Sequence, residues 1–249
     1  MSISDIKKEF AQADINEYSS IIEKYKDDTR SGVVKLIQSA EKNIEKHEKE
    51  LARMYRMFNY ERQYRGEGNV CGIDEVGRGP LAGPVVAAVI LPEDCDILYL
   101  NDSKQLSEKM REKLYDEIME KALAVGVGMA DEKVIDDINI LQADYHAMRI
   151  AISKLSVKPQ VLLNDAVTIP GVDIKQVPII KGDTLSASIA AASIIAKVTR
   201  DRMMVTYDGV YPGYGFASNK GYGSKEHIEA LKIMGPCEIH RRSFIKNFV

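Results

Sequence analysis

The stretch that decides the reading of this chain is Gly72-Ile73-Asp74-Glu75-Val76-Gly77-Arg78-Gly79-Pro80-Leu81-Ala82-Gly83-Pro84-Val85-Val86-Ala87-Ala88-Val89-Ile90. Two adjacent carboxylates stand directly before a Gly-Arg-Gly loop, and an apolar, β-branched run follows. Val70 to Val76 and Val85 to Leu91 are therefore expected as two strands joined by the glycine loop as a hairpin. Carboxylates bind hard divalent cations, and a loop without side chains lets backbone groups approach a nucleic-acid backbone. Together they point to phosphodiester chemistry. Neighbours on a regular strand face opposite sides of a sheet, so Asp74 and Glu75 share one site only if the strand ends or bulges there.

Working outward, strands and helices alternate. Ser107 begins a helix to about Leu123, and Ala124 to Ala130 reads as a strand. Asp131 to Leu155 is helical in one or two pieces. Gln160 to Asn164 is a short buried strand, and Val172 to Ile179 is another. Thr184 to Tyr207 is a long helix with an Ala/Ser face, and Lys225 to Met234 is a helix stopped by Gly235-Pro236. This order predicts a mixed α/β sheet. Residues 1–66 differ, being rich in Glu, Lys, Ile and Met. Ile37, Ile44, Leu51 and Phe58 recur every seven residues, each followed three residues on, through Met54, by Ala40, His47 and Met54. That seam predicts a long helix, which Ser31 could cap, after a shorter helical segment holding Ile6 and Phe10. The expected organisation is a helical extension over 1–66, folded as a hairpin, and a catalytic domain over 67–249.

The chain has 249 residues, 45% of them hydrophobic, and a net charge of −3. No apolar run approaches the roughly 20 residues that span a bilayer, and the start lacks a signal-peptide core. Cys71, Cys95 and Cys237 form no Cys-x-x-Cys pair, which argues against zinc and for a reduced cytosol. Residues 220–249 hold six Lys or Arg against three Glu, a local basic strip. His47, His146, His227 and His240 have no ligand spacing. With no Walker loop, dinucleotide fingerprint or Gly-x-Ser-x-Gly present, kinase, dehydrogenase and serine hydrolase readings have no support.

The quoted stretch closely resembles the N-terminal motif of type 2 ribonucleases H (ribonuclease HII). The likeness continues through Asp102-Ser103-Lys104-Gln105-Leu106-Ser107, Leu162-Leu163-Asn164-Asp165-Ala166, Lys181-Gly182-Asp183-Thr184-Leu185-Ser186, the helix up to Arg202, Asn219-Lys220-Gly221-Tyr222-Gly223-Ser224 and His240-Arg241-Arg242-Ser243-Phe244. It implies a ribonuclease H-like mixed five-stranded sheet flanked by helices. It also implies an endonuclease that cuts the RNA strand of RNA–DNA hybrids and the 5′ side of ribonucleotides embedded in duplex DNA. By this resemblance Asp74, Glu75, Asp165 and Asp183 hold Mg²⁺ or Mn²⁺ in a two-metal mechanism. Gly77, Arg78 and Gly79 meet the ribose 2′-hydroxyl, the group that separates RNA from DNA. Tyr222 stacks on the sugar of the following deoxynucleotide, and Lys104, Lys181 and Ser186 are candidates for phosphate contacts. A monomer in the cytoplasm is expected, and contact with a sliding clamp is left open.

Departures from the family pattern are Ala166, where glycine is usual, and Asn219, where many relatives have histidine. Asp183 could also simply cap the helix after it, Asp201 reads as an ion-pair partner of its arginine neighbours, and Asp102 as a helix-entry residue. The rivals are another nuclease of the same fold, such as type 3 ribonuclease H, against which Arg78 and Tyr222 speak, and an inactive hybrid-binding module, against which the four carboxylates speak.

Overall fold

A computed structural model describes residues 1–83, 85–92 and 95–249, with backbone alone over 85–87; Pro84 of the quoted motif lies outside the described residues. The chain divides into two compact units, Met1–Arg56 and Met57–Val249. The division falls earlier than the glycines at 66 and 68.

In the first unit, α1 (Ile3–Gln12) opens with a capping box in which Ser2 and Asp5 satisfy each other's backbone N–H. A 3₁₀ turn and α2 (Tyr18–Tyr25) follow, and then the long α3 (Ser31–Met57). The segment expected as one short helix is thus two, and a three-helix unit replaces the simple hairpin. Its core is Ile6, Phe10, Ile21, Val33 and Ala40. The buried row of α3 runs through Val33, Ala40 and Met54, while Leu51, expected in the seam, is 47% exposed. The heptad count was right in period: Ala40 and Met54 of the seam's second row are buried as expected, while Ile37, Ile44 and Phe58 of its first row are only half-buried.

The second unit begins with α4 (Asn59–Tyr64). Its sheet comprises β1 (Val70–Val76), β2 (Val85–Ile90), β3 (Ala124–Gly128), β4 (Val161–Asp165) and β5 (Lys175–Ile179), in the order β3-β2-β1-β4-β5. β1, β2 and β3 pair antiparallel, whereas β4 and β5 run parallel to β1. The helices are α5 (Glu108–Lys121), α6 (Glu132–Ile138), α7 (Ile140–Ser153), α8 (Gly182–Leu185), α9 (Ala187–Val210), α10 (Phe216–Asn219), α11 (Lys225–Met234) and α12 (Arg242–Ile245). All five expected strands are present, within a few residues of their predicted bounds.

The alternation of β1 gives the sheet its two faces. Cys71 and Ile73 point to one face, where they pack with Ala143, Ala147, Met148 and Ala151 of α7. Gly72 points to the other. A Cβ there would lie 2.1 Å from the Ser188 carbonyl carbon of α9. Only glycine admits this contact, which is why the Ala/Ser stripe of α9 can lie directly on the strand. Among the described residues no helix is long and apolar enough to cross a membrane.

Candidate active site

Asp74 follows Gly72 on the α9 face, and Glu75 follows Ile73 on the α7 face. Each meets a partner from the helix on its own side: Ser193 lowers the Asp74 carboxyl, and Asp144 acts on Glu75 electrostatically. The opposed faces of the strand are therefore real. They converge because β1 ends at Val76 and Gly77 turns the chain with φ +102°. Asp165 ends the parallel neighbour β4, one step beyond the Ile73–Asn164 register pair and hence beside Asp74. Both Asp74 and Glu75 are acted on by its charge.

Asp165 Oδ1 accepts the Gly182 backbone N–H at 2.8 Å, bringing the next residue, Asp183, to the same sheet end. The long helix expected from Thr184 is broken here. Ser186, in extended conformation, caps α9 by accepting from Ile189 N, so Asp183 lies in the separate turn α8 and is not the cap of the long helix. Ala166 stands at φ +54°. A left-handed backbone at this position is one that glycine adopts most readily.

Charge crowding marks the site. Burial pushes the Asp74 carboxyl up, and the neighbouring Glu75 and Asp165 charges add to the effect. Glu75 is pushed up to about 7 by burial and then by Asp144, with Arg78 opposing. Asp183 is raised by burial, then by Asp102 and Asp165, with Lys104 opposing. Such mutual repulsion is what a bound cation relieves. Among the described residues no three His, Cys, Asp or Glu side chains are grouped so as to hold a metal ion by themselves. An open, all-oxygen carboxylate set suits Mg²⁺, which keeps waters and takes further ligands from a substrate phosphate.

Asp144 was not found from the sequence. It is 5% exposed, and its Oδ2 lies 2.9 Å from Arg78 Nε; Arg78 also reaches Glu75 at 3.8 Å. Burial raises Asp144 to about 6. The available signal was a lone carboxylate inside the apolar Ala143–Ala147–Ala151 stripe of α7.

Irregular chain follows directly after β1. Arg78 and Gly79 are exposed, and a Cβ on Gly79 would lie 3.9 Å from the Tyr222 ring. Leu81 N donates to Gly221 O at 2.7 Å, tying the two loops together. Two buried arginines hold them from behind. Arg241 donates to the carbonyls of Arg78 at 2.9 Å, Gly77 at 2.5 Å and Gly83. Arg200 donates to Lys220 O and Ala82 O, each at 2.8 Å, and sits 5.7 Å from the Tyr222 ring centre. Asn219 bonds Tyr214 O and Gly221 N within the same turn, so it serves the loop.

Of the phosphate candidates, Lys104 and Lys181 are exposed at the sheet end. Ser186 is not available: it is fully buried, and its hydroxyl donates to Glu61 Oε1 at 2.6 Å. Glu61, on α4, also accepts Ser188 N at 2.8 Å, capping the start of α9. Asp201 pairs with Lys197 at 2.8 Å rather than with its arginine neighbours. Asp102 accepts from Lys104 N and opens a 3₁₀ turn, as expected.

A ribonuclease H-like sheet carrying carboxylates at the ends of β1 and β4 defines a nuclease of that fold. The family model for ribonuclease HII matches residues 71–247, and that for the ribonuclease HII N-terminal domain matches residues 2–65. The ribonuclease HII of Lachnoclostridium phytofermentans is 63% identical, over 99% of this chain and 98% of its own length. That of Bacillus subtilis is 50% identical over 98% and 96%. A crystal structure of ribonuclease H2 from Pyrococcus horikoshii superposes with TM-score 0.58 and 30% identity, covering 70% of this chain and 93% of that one. A ribonuclease HII of Archaeoglobus fulgidus, solved as a complex with PCNA, gives TM-score 0.58 at 25% identity, covering 70% and 94%. The chain belongs to the ribonuclease HII family, and it is an endoribonuclease acting on RNA–DNA hybrids.

Proposed function

We propose that this enzyme cuts the RNA strand of hybrids and also nicks duplex DNA on the 5′ side of single embedded ribonucleotides, leaving 3′-hydroxyl and 5′-phosphate ends. The observation that carries the reading is the pairing of two unlike surfaces: crowded carboxylates at the sheet end and, directly after β1, a glycine-flanked loop beside an exposed tyrosine. Asp74, Glu75, Asp165 and Asp183 would hold two divalent ions, Mg²⁺ or Mn²⁺. Such ions, when bound, acidify a water and neutralise charge on the leaving oxygen.

The chain's own residues orient the substrate. Gly77, Arg78 and Gly79 receive the ribose 2′-hydroxyl, and Arg78 is steadied by Asp144. Tyr222 stacks on the sugar that follows, while Lys104 and Lys181 meet phosphates. A monomeric, cytoplasmic enzyme acting in removal of ribonucleotides from DNA fits these properties. The test is nicking of a duplex with one ribonucleotide in Mg²⁺. Cleavage 5′ of the ribonucleotide is expected; no cleavage, or equal cleavage of the all-DNA duplex, would refute the reading.

A further inference from the structure

Beneath Tyr222 lies a pair of histidines that the reaction described so far does not use. His227 on α11 and His240 before α12 are both fully buried, with Nε2 atoms 2.9 Å apart. Their partners fix where the protons sit. The Cys237 backbone N–H donates to His240 Nδ1 at 3.0 Å, making that nitrogen an acceptor. A neutral imidazole has one donor and one acceptor nitrogen. His240 therefore carries its proton on Nε2 and donates to His227 Nε2. His227 in turn carries its proton on Nδ1 and donates to the Tyr222 carbonyl at 2.8 Å. Every donor in this line is matched, from Cys237 N–H through both rings to Tyr222.

The surroundings keep the line in place. Tyr214 and Phe216 wall the rings, with His240 4.9 Å and 5.6 Å from them, and the Tyr214 hydroxyl donates to Gly235 O at 2.6 Å. The Tyr222 turn needs such support. Lys220 and Gly221 stand at φ +51° and +81°, and no strand pairing reaches the segment.

We propose that His227 and His240 are positioning residues that set the Tyr222 backbone, and with it the ring, for recognition of a lone ribonucleotide followed by deoxyribose. This rests on the reading of Tyr222 as the residue that stacks on that deoxyribose. Neither imidazole touches the carboxylates. The pair acts through Tyr222, so its loss should change substrate choice more than the chemical step.

The experiment is single-turnover cleavage in Mg²⁺ of two substrates, a duplex with one ribonucleotide and a hybrid with an all-RNA strand. The proteins are the parent, Tyr222→Ala, His227→Phe and His227→Asn. His227→Phe keeps an aromatic ring without the donor; His227→Asn places an amide N–H near the position of Nδ1. His227→Phe should lower the ratio of lone-ribonucleotide to all-RNA cleavage by about fivefold or more, part of what stacking is worth. His227→Asn should recover most of that ratio. Should His227→Phe fail to fold, His227→Phe/His240→Phe replaces both partners by apolar rings, which is better tolerated than orphaning one, and should show the same fall. An unchanged ratio, or an equal loss on both substrates, in a folded variant would overturn the proposal while Tyr222→Ala still lowers the ratio. If Tyr222→Ala itself leaves the ratio unchanged, the reading of Tyr222 has failed and the proposal falls with it.

Discussion

At the sheet end, three of the four carboxylates stand on or directly beside paired strands, and backbone hydrogen bonding fixes where they are. Beyond the end of β1, residues 77–83 and 219–223 lie outside the named strands, and buried side chains hold them through their carbonyls. The first region repels itself and calls for a ligand: burial and like charge raise Asp74, Glu75 and Asp183. In the second, Arg200, Arg241, His227 and Asn219 already bond the loop carbonyls. On the proposed function, chemistry falls where a cation would relieve the crowding, and sugar recognition where the loops are already held. Preorganised groups lose little freedom on binding.

The largest expected effect lies in the first region. Asp74→Asn keeps shape but removes a charge, and loss of a direct ligand should exceed the ~10–100-fold typical of outer-shell changes. Binding of uncut hybrid in Ca²⁺ should persist, which a gel-shift measurement would show. In the second region, Arg241→Met strands the carbonyls of Gly77, Arg78 and Gly83. It should destabilise the enzyme by about 2–4 kcal/mol in urea unfolding, as expected for orphaned buried acceptors. A loss below measurement would mean that water can replace the guanidinium, and the loop is not held as described.

A pH experiment sharpens the same contrast. His240 is held down to about 4 from an ordinary 6.5 by burial and then by His227, with Arg242 adding to the effect. A depressed histidine is neutral in the fold, so its stabilising contribution is full above 6.5 and is lost as pH falls toward 4. The size is on the order of 2–3 kcal/mol. Glu75 works in the opposite sense: raised to about 7 from 4.5, it gains a proton first in the folded state as pH falls between those values. The difference between parent and His227→Phe/His240→Phe therefore isolates the histidines. The parent should lose more stability than the variant between pH 6.5 and 4, and parallel curves would contradict the assignment. A smaller effect is expected at Glu61→Ala, which uncaps α9 and releases Ser186. About 1–2 kcal/mol of stability should go, by analogy with helix-cap losses. Retained stability would show that residues before Glu67 do not support the catalytic sheet.

These contrasts also explain what could be read beforehand. β1 and β4 were legible because burial on both faces writes them as apolar runs, and Asp74, Glu75 and Asp165 were legible as carboxylates ending such runs. The break at Ser186 was not, because Lys181 to Leu185 reads as ordinary helix entry, and only Glu61, some 125 positions away in sequence, shows why the chain stops there. Asp144 was hidden for a related reason: its partners Arg78 and Glu75 come from another element. Arg241 was counted only in the basic strip, and Arg200 only as a neighbour of Asp201. Their task, holding carbonyls of distant loops, leaves no local pattern. The heptad count marked both rows of the α3 seam, and it is Ala40 and Met54 of the second row that are fully buried, because a period alone does not say which of two adjacent rows turns inward.

The central claim is that one region performs the cut and the other chooses the sugar junction. Its most direct test is single-turnover cleavage of the lone-ribonucleotide duplex and the all-RNA hybrid by Asp74→Asn and Tyr222→Ala side by side. Asp74→Asn should lose both activities to the same extent. Tyr222→Ala should lose the lone-ribonucleotide activity by the equivalent of about 1–3 kcal/mol while largely keeping the other. Equal losses in both variants would contradict the division.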